Sequence, residues 1–300
     1  MKLKVTYMSG AGNTFTVVDN REYNLSPDFY SLMAPYLCGQ NNTGLNTEGL
    51  LILNMPGNNT AFEVDFFNPD GSNGMMCGNG GRCALMFAGH QEFLNEEQKK
   101  NNVFFKMGAS IYHGRFRGDN IRLYFPAPIE IKKNVKILVN NKNITGVYVN
   151  VNSDHFVINH TEAVPIQDES FDDFCIDTFA SAIRFHEDFK PNGVNVNIYS
   201  VESRNKILLR TYERGVEAET GACGTGALST MLASLSNDEI DLPVIIIPPS
   251  KSPLIVDIDG EFPDKIEYLV LEGNAEIKKQ TEIEISDKYI PKLVFGNKIV

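Results

Sequence analysis

Two cysteines followed by the same glycine spacing carry the main chemical signal of the sequence. Cys77 begins Cys-Gly-Asn-Gly and Cys223 begins Cys-Gly-Thr-Gly, 146 positions later (223 − 77). Each cysteine follows a predicted strand and loop and precedes a predicted helix. A repeat at about half the chain length indicates two similar domains about a pseudo-twofold axis, which would bring the two cysteines face to face.

The predicted position of each cysteine, at the start of a helix, indicates its chemistry. The helix dipole and the unpaired backbone N–H groups there lower a thiol pKa from about 8.5 and favour the thiolate. Two such helix starts also form a site for a carboxylate, and they stabilise the negative charge that grows when its α-carbon loses a proton. One thiolate base and one thiol acid would move a proton from one face of a carbon to the other.

The remaining cysteines and the absent motifs narrow the alternatives. Cys38, Cys83 and Cys175 are interpreted as inert, small buried residues, the commonest state of a cysteine. Neither a Cys-x-x-Cys pair nor a histidine pair at helical spacing occurs, so no metal site is expected. The Gly-Lys-Ser/Thr ending of a phosphate loop is also absent.

Composition sets the broad class of protein. The chain has 300 residues, 42% of them hydrophobic, and a net charge of -11, which disfavours a nucleic-acid surface. Neither a signal peptide nor an apolar run of about 18 residues is recognised, so no membrane span is expected. Five cysteines without paired spacing argue against a disulfide framework and favour the reducing cytoplasm.

The predicted elements indicate a mixed α/β (α+β) fold built from curved sheets, with two similar domains. Alternating strands are predicted over 3–7 and 61–67, and a helix begins at Pro27 and runs to about Leu37. Pro126 and Pro128 mark the crossing into a second half made mostly of short strands. Because strands and helices do not alternate regularly, a doubly wound parallel sheet is not expected.

Seven segments, in order along nearly the whole chain, resemble the diaminopimelate epimerase family. They are residues 8–15, 44–51, 67–72, 76–83, 193–197, 212–215 and 219–226. The resemblance implies two domains, each a curved sheet around a central helix, at 1–125 with about 276–300 and at 126–275. It implies interconversion of LL- and meso-diaminopimelate without pyridoxal phosphate, metal or other cofactor, in lysine and peptidoglycan precursor synthesis. A homodimer is expected by family analogy alone.

The resemblance also assigns roles to individual residues. It implies that Cys77 and Cys223 are the acid/base thiols, and that His155 assists Cys77. Glu213 would take the substrate amine and tune Cys223, and Arg214 would pair with the distal carboxylate. The backbone of four residues would surround the reacting carboxylate: Gly78, Asn79, Gly224 and Thr225. Three asparagines would form hydrogen bonds to the substrate: Asn13, Asn68 and Asn195.

Simpler interpretations of these residues remain open. Asn13 and Asn68 are also typical of turns in which the side chain bonds its own backbone. His155 is also compatible with an ordinary strand histidine that has no catalytic role. Glu213 and Arg214 would then form a surface ion pair.

Departures from the family pattern leave the substrate open. The family often has Gly-Asn-Pro-His where this chain has Asn152-Ser153-Asp154-His155, and Asp154 adds a negative charge near the expected substrate. Alternatives are an epimerase or racemase of another amino acid, such as histidine or proline, and a non-catalytic redox protein that uses the Cys77/Cys223 pair. A second amino-acid head group on the substrate, expected from Arg214, favours diaminopimelate.

Overall fold

The protein is described by a computed structural model over residues 1–40, 45–74, 76–163 and 170–286. The chain divides into two compact units. One contains Met1–Leu123 with the described residues from Asn274 onward, and the other contains Tyr124–Gly273. The boundaries predicted from the sequence are 125 and about 276. None of the helices in the described ranges combines the length and apolarity needed to cross a membrane.

The first unit contains most of its strands in one continuous ladder. Its elements are β1 (Lys2–Gly10), β2 (Asn13–Asp19), α1 (Pro27–Pro35), a π-helical turn (Tyr36–Gln40), β3 (Gly49–Asn54), β4 (Phe62–Phe67), α2 (Gly78–His90), α3 (Glu96–Lys100), β5 (Val103–Met107), β6 (Ser110–Arg117) and β7 (Asn120–Pro126), which contains the unit boundary. The last described strand, Glu276–Glu284, belongs to this unit and pairs with β1.

The second unit has its own strand ladder and central helix. Its elements are β8 (Glu130–Val139), β9 (Lys142–Asn150), β10 (Asp154–Asn159), α4 (His160–Ala163), α5 (Ile176–Arg184), a 3-10 turn (Glu187–Phe189), β11 (Asn195–Ser203), β12 (Lys206–Glu213), β13 (Ala218–Glu219), α6 (Gly224–Ser236), β14 (Val244–Ile247), β15 (Leu254–Glu261) and β16 (Lys265–Asn274). The strand Glu276–Glu284 is therefore β17.

The two ladders repeat the same order of strand directions. In the first unit the order is β17-β1-β2-β3-β4-β5-β6, paired antiparallel, antiparallel, parallel, antiparallel, parallel and antiparallel. In the second unit β8-β9-β10-β11-β12-β14-β15 follows the same six directions, and β16 adds a further antiparallel strand. The predicted internal repeat and mixed α/β class are confirmed.

Each unit surrounds one helix on several sides. Ten of the thirteen residues of α2 are buried, and so are ten of the thirteen residues of α6. Helices that are buried on most sides require small or apolar side chains, and glycine and alanine are frequent in both. The opposite face of the first sheet packs on α1, with Phe29, Tyr30 and Met33 in the core. The corresponding core of the second unit includes Ile176 and Ile183 of α5.

The start of α1 is confirmed, whereas the end of α1 and the strand β17 differ from the predictions. Ser26 caps α1 by accepting a hydrogen bond from the Phe29 amide, with Pro27 at the first helical position. The α-helix ends at Pro35, and the predicted extension toward Leu37 is a π-helical turn. The charged strand β17 was missed because its sequence is mostly exposed and its strand structure comes from pairing with β1.

Candidate active site

Cys77 occupies the N-cap position of α2, as the sequence predicts. Its backbone is extended, with φ -110° and ψ 120°, and the Gly80 amide donates to its sulfur over 3.5 Å. Gly78 and Asn79 take the first two helical positions, whose amides have no partner within a helix. A helix start with this geometry provides donors to an anion beside the thiol.

Cys223 occupies the same position on α6. Its φ of -116° and ψ of 114° match those of Cys77, and the Gly226 amide donates to its sulfur over 3.3 Å. Gly224 and Thr225 follow as the first helical residues, and the Thr225 hydroxyl lies 3.5 Å from the sulfur. The two cysteine loops therefore have one conformation and the same two classes of group, a thiol and adjacent backbone amides.

In the first unit, hydrogen bonds connect the Cys77 loop to a carboxylate. Arg82 donates to Asn79 Oδ1 over 2.6 Å, and Asn79 Nδ2 donates to Asn13 Oδ1 over 2.8 Å. Asn13 Nδ2 in turn donates to the Glu48 carboxylate. Because the guanidinium only donates and the carboxylate only accepts, both amides are fixed in orientation. The structure thus brings Asn13 and Asn79 together.

Asn68 has local bonds at the end of β4. Its side chain donates to the Ser72 hydroxyl over 2.9 Å, and its backbone amide donates to the Ser72 carbonyl over the same distance. Asp70 accepts from the backbone and hydroxyl of Ser72. These are the bonds of a turn that stabilises itself. The open alternative for Asn68, a turn residue, describes its contacts in this structure.

In the second unit, a buried polar network lies beside the Cys223 loop. Thr211 donates to Asn197 Oδ1 and the Asn197 amide nitrogen bonds His155 Nδ1, both over 2.9 Å. A Cβ built at Gly226 would lie 2.6 Å from Asn197 Oδ1, so this amide packs directly against α6. The network forms a polar support behind the Cys223 helix start.

His155 is fully buried and neutral at physiological pH. Burial lowers its pKa to about 3, and the charge of Arg214 acts in the same direction. Because Nδ1 accepts from an amide nitrogen, the ring proton lies on Nε2. Among the described residues Nε2 has no hydrogen-bond partner. His155 lies in the same unit as Cys223. Its two interpretations, a catalytic assistant and an ordinary strand histidine, both remain open.

Asn195 and Arg214 contact each other at the ends of β11 and β12. The Arg214 amide donates to Asn195 Oδ1 over 2.8 Å, and Asn195 Nδ2 donates to Ser153 Oγ and the Asp154 carbonyl, each over 3.0 Å. Every polar atom of the Asn195 side chain therefore holds the loops around it. Glu213 accepts a bond from the hydroxyl of Thr220 over 2.9 Å.

The Arg214 guanidinium pairs with Asp154, the residue that departs from the family pattern. Arg214 Nη1 lies 3.3 Å from Asp154 Oδ2, and it also donates to the Gly193 carbonyl. Asp154 Oδ1 accepts from Tyr148 and Asn150 on the neighbouring strand. Three side chains therefore hold the Asp154 carboxylate. One of them is Arg214, the cation that is expected from the sequence to bind the distal carboxylate of the substrate.

The other cysteines divide into two kinds. Cys38 and Cys83 are buried, and burial raises their pKa values to about 11 and 12. The prediction of a buried residue is wrong for Cys175, which is exposed just before α5 because the apolar side of that helix begins at Ile176. Within the described ranges, no group of three His, Cys, Asp or Glu side chains is arranged to hold a metal ion.

Some residues at the site were not assigned a role from the sequence. They are Glu48, Arg82, Asn197 and Thr211. Two signals were available: Asn79 and Arg82 are three residues apart on one helix, and Asn195 and Asn197 lie on one face of a strand. A further signal was that these polar residues occur in elements that are otherwise buried.

Solved structures with the same fold include a phenazine biosynthesis protein of the PhzF family and a probable proline racemase. A phenazine biosynthesis protein of the PhzF family from Bacillus anthracis superposes with a TM-score of 0.70 at 12% identity, over 95% of this chain and 100% of that chain. A probable proline racemase from Agrobacterium radiobacter K84 gives 0.69 at 11% identity, over 97% and 95%. These similarities define the two-domain curved-sheet fold class.

Sequence similarity narrows the class to one family. The family model for diaminopimelate epimerase matches residues 5–110. The diaminopimelate epimerase of Aquifex aeolicus is 31% identical over 280 residues, covering 89% of this chain and 93% of that relative. This chain belongs to the diaminopimelate epimerase family.

Proposed function

We propose that this protein interconverts LL-2,6-diaminopimelate and meso-diaminopimelate by two-base transfer of the α-proton, in the synthesis of lysine and peptidoglycan precursors. The observation that carries the proposal is the repeated helix start: Cys77 and Cys223 cap equivalent helices with the same backbone conformation. Membership of the family supports the substrate.

The chemistry follows from what each helix start offers. The reacting carboxylate binds backbone amides at the first helical positions, residues Gly78 and Asn79 of α2 and Gly224 and Thr225 of α6. One thiolate removes the α-proton, and these donors stabilise the charge that moves onto the carboxylate. The other thiol returns a proton to the opposite face, so the roles of acid and base exchange in the reverse reaction.

The distal head group is assigned to the polar residues at the end of β12. Arg214 would bind the distal carboxylate, because a guanidinium fork matches a carboxylate in charge and geometry. Asn13, Asn68 and Asn195 would complete substrate recognition, and Glu213 would accept from an ammonium group. His155 would assist the thiol chemistry as a neutral group.

The proposed chemistry requires reduced thiols. None of the five cysteines, all of which lie in the described ranges, forms a disulfide bond in the structure, and a reducing cytoplasm would keep the thiols reduced. We place the protein there, acting on a small amino-acid substrate, and we expect a homodimer by family analogy. Multi-angle light scattering of the purified protein tests the dimer directly.

Proton NMR in D2O tests the proposed reaction. The reduced protein is mixed with LL-diaminopimelate, beside the variants Cys77→Ala and Cys223→Ala and the matched control Cys175→Ala at an exposed cysteine. We expect loss of the α-proton signal and appearance of the meso isomer with the wild type and the control. Each of the other variants should lose at least about 100-fold in rate, the usual contribution of one acid/base group.

The outcomes separate the three functions that the sequence leaves open. Undiminished epimerisation by either active-site variant contradicts the two-thiol mechanism. Absence of exchange with diaminopimelate, combined with exchange of another amino acid such as histidine or proline, would identify an epimerase or racemase with a different substrate. Loss of thiols on oxidation without exchange of any substrate would leave the redox alternative.

A further inference from the structure

A fully buried arginine lies one helical turn after Cys77. Arg82 is 0% exposed, and it is the largest fully buried side chain in the described structure. Its guanidinium donates to Asn79 Oδ1 over 2.6 Å, to the Asn274 carbonyl over 3.3 Å and to the Gly78 carbonyl over 3.4 Å. All three acceptors are neutral oxygens. A buried cation that contacts no anion is strongly unfavourable unless a negative charge comes close to it.

The side chains around Arg82 supply only distant negative charge. Glu48 is separated from the guanidinium by the amides of Asn79 and Asn13. Glu276 accepts from the Asn274 side chain and is also paired with Lys278. Burial raises the pKa of Cys83 to about 12, so that thiol is neutral. Among these described side chains, the group left that can become an anion at this helix start is Cys77.

Arg82 itself remains charged at neutral pH. Burial lowers its pKa to about 10, while its electrostatic interactions with Cys83 and Cys77 act in the opposite direction. Arg82 lies five residues after Cys77, on the helix that Cys77 caps. A cation here favours negative charge at the start of α2, both on a thiolate and on a bound carboxylate.

The second unit has no cation at the equivalent helix position. Counting from the cysteine, Arg82 corresponds to Leu228 of α6, which is 0% exposed. The network beside that loop consists of the neutral His155, the amide Asn197 and the hydroxyl Thr211, and the Thr225 hydroxyl lies 3.5 Å from the sulfur. The cation Arg214 acts on His155, but it is paired with Asp154. Glu213 accepts a bond from Thr220, three residues before Cys223, and its negative charge would oppose a second anion there. The buried charge therefore distinguishes the two thiols.

We propose that Arg82 is a positioning residue whose buried positive charge holds Cys77 as the thiolate in the free enzyme, while Cys223 remains the thiol. The catalytic meaning of this assignment rests on the proposed function. Cys77 then takes the α-proton as its S–H bond forms and the substrate C–H bond breaks, and Cys223 gives its proton to the carbanion. Each turnover leaves Cys77 protonated and Cys223 ionised, and exchange with solvent restores the favoured state.

Alkylation of the individual cysteines tests the assignment without substrate. Iodoacetamide labelling of the reduced, full-length protein is followed against pH, and peptide mass spectrometry resolves Cys77 from Cys223. In the wild type, Cys77 should titrate with a midpoint at least about one pH unit below that of Cys223. Midpoints are compared because absolute rates also depend on access, and Cys223 is the more buried of the two.

Variants then isolate the charge. Arg82→Met should raise the Cys77 midpoint by about one unit, which is a roughly tenfold loss of labelling rate at neutral pH. Arg82→Lys should largely retain the wild-type midpoint because it keeps the charge. Leu228→Met is the matched control on α6 and should change neither midpoint.

Two results overturn the proposal. One is a wild-type Cys223 midpoint at or below that of Cys77, which requires no variant to be stable. The other is a folded Arg82→Met protein, checked by circular dichroism, whose Cys77 midpoint is unchanged or no different from that of Arg82→Lys. Failure to epimerise diaminopimelate would contradict the proposed function and leave these midpoints unaffected.

Discussion

The two units repeat one sheet topology and one helix start, but they surround that helix start with different side chains. In the first unit, a Cβ built at Gly80 would meet Leu51 at 3.4 Å and Phe15 at 3.6 Å. Leu51 pairs across the ladder with Phe66, whose ring packs on Phe15 edge to face. The support behind the Cys77 loop is therefore apolar.

In the second unit, the equivalent strand positions are polar. A Cβ built at Gly226 would meet Asn197 at 2.6 Å and Thr211 at 3.0 Å. Asn197 pairs across the ladder with Thr211, as Leu51 does with Phe66 in the first unit. By the same register, His155 on β10 stands where Phe15 stands on β2.

The two units therefore share the backbone conformation at the cysteine but differ in the side chains that surround it. The backbone that holds a cysteine at a helix start tolerates either an apolar or a polar support, because capping depends on local geometry. The electrostatics at the thiol depend on the support and on the helix behind it. One unit combines apolar strands with a buried arginine, and the other combines a neutral polar network with an apolar helix.

The largest effects are expected when the two supports are exchanged. Asn197→Leu leaves the Thr211 hydroxyl and His155 Nδ1 without their partner, and Leu51→Asn buries an amide beside Phe15. Each should reduce the free energy of unfolding by about 2–4 kcal/mol, since unsatisfied buried polar groups cost about 1–3 kcal/mol each. Urea unfolding measures this change. A loss below about 0.5 kcal/mol for Asn197→Leu would mean that the network is not a support.

The glycines of the two loops should respond in opposite directions. Gly226→Ala places a methyl group against Asn197 and Thr211, and overpacking of this kind costs about 1–3 kcal/mol. Gly80→Ala meets ordinary contact distances and gains up to about 1 kcal/mol from helix preference. Thermal or urea unfolding of both variants checks the contrast. Equal destabilisation of the two variants would contradict the different packing inferred behind the two glycines.

His155 should make the second unit sensitive to acid. Its pKa is lowered from 6.5 to about 3, so above pH 6.5 the ring is neutral in both folded and unfolded states. Below that pH His155 is protonated in the unfolded state but stays neutral in the folded state, so the free energy of unfolding falls until about pH 3. Between pH 6.5 and 4.5 this loss amounts to about 2–3 kcal/mol.

His155→Phe, which copies the first unit, isolates this contribution. Unfolding free energies of wild type and variant are compared at several pH values, because the carboxylates titrate alike in both proteins. The variant should be less stable at pH 7 and should lose less stability on acidification. Parallel curves would contradict a buried neutral histidine.

The smallest effect is expected at the ion pair between Asp154 and Arg214. The two side chains are 26% and 22% exposed, and pairs of this kind contribute about 0.2–1 kcal/mol. Asp154→Asn frees Arg214 for the substrate carboxylate and should lower KM for diaminopimelate by about twofold to fivefold at low ionic strength. Steady-state epimerisation measures it. A higher KM would mean that Asp154 orients the guanidinium.

Local signals in the sequence were sufficient for several parts of this protein. The Ser26-Pro27 pair predicted the start of α1, and alternation over 61–67 predicted β4. The paired Cys-Gly-x-Gly segments predicted two equivalent helix starts. These predictions succeed because caps, glycine spacing and strand alternation act over a few neighbouring residues.

The surroundings of the two thiols were decided by the tertiary structure. Whether Arg82 is buried, whether His155 is neutral and what stands opposite Gly226 depend on strands 15 to 192 positions away in the chain. The ion pair between Asp154 and Arg214 is likewise a contact that motif matching does not contain. The sequence determined where the thiols lie on their helices; burial and long-range pairing determined the charge each thiol experiences, because electrostatic free energy depends on desolvation and distance in space.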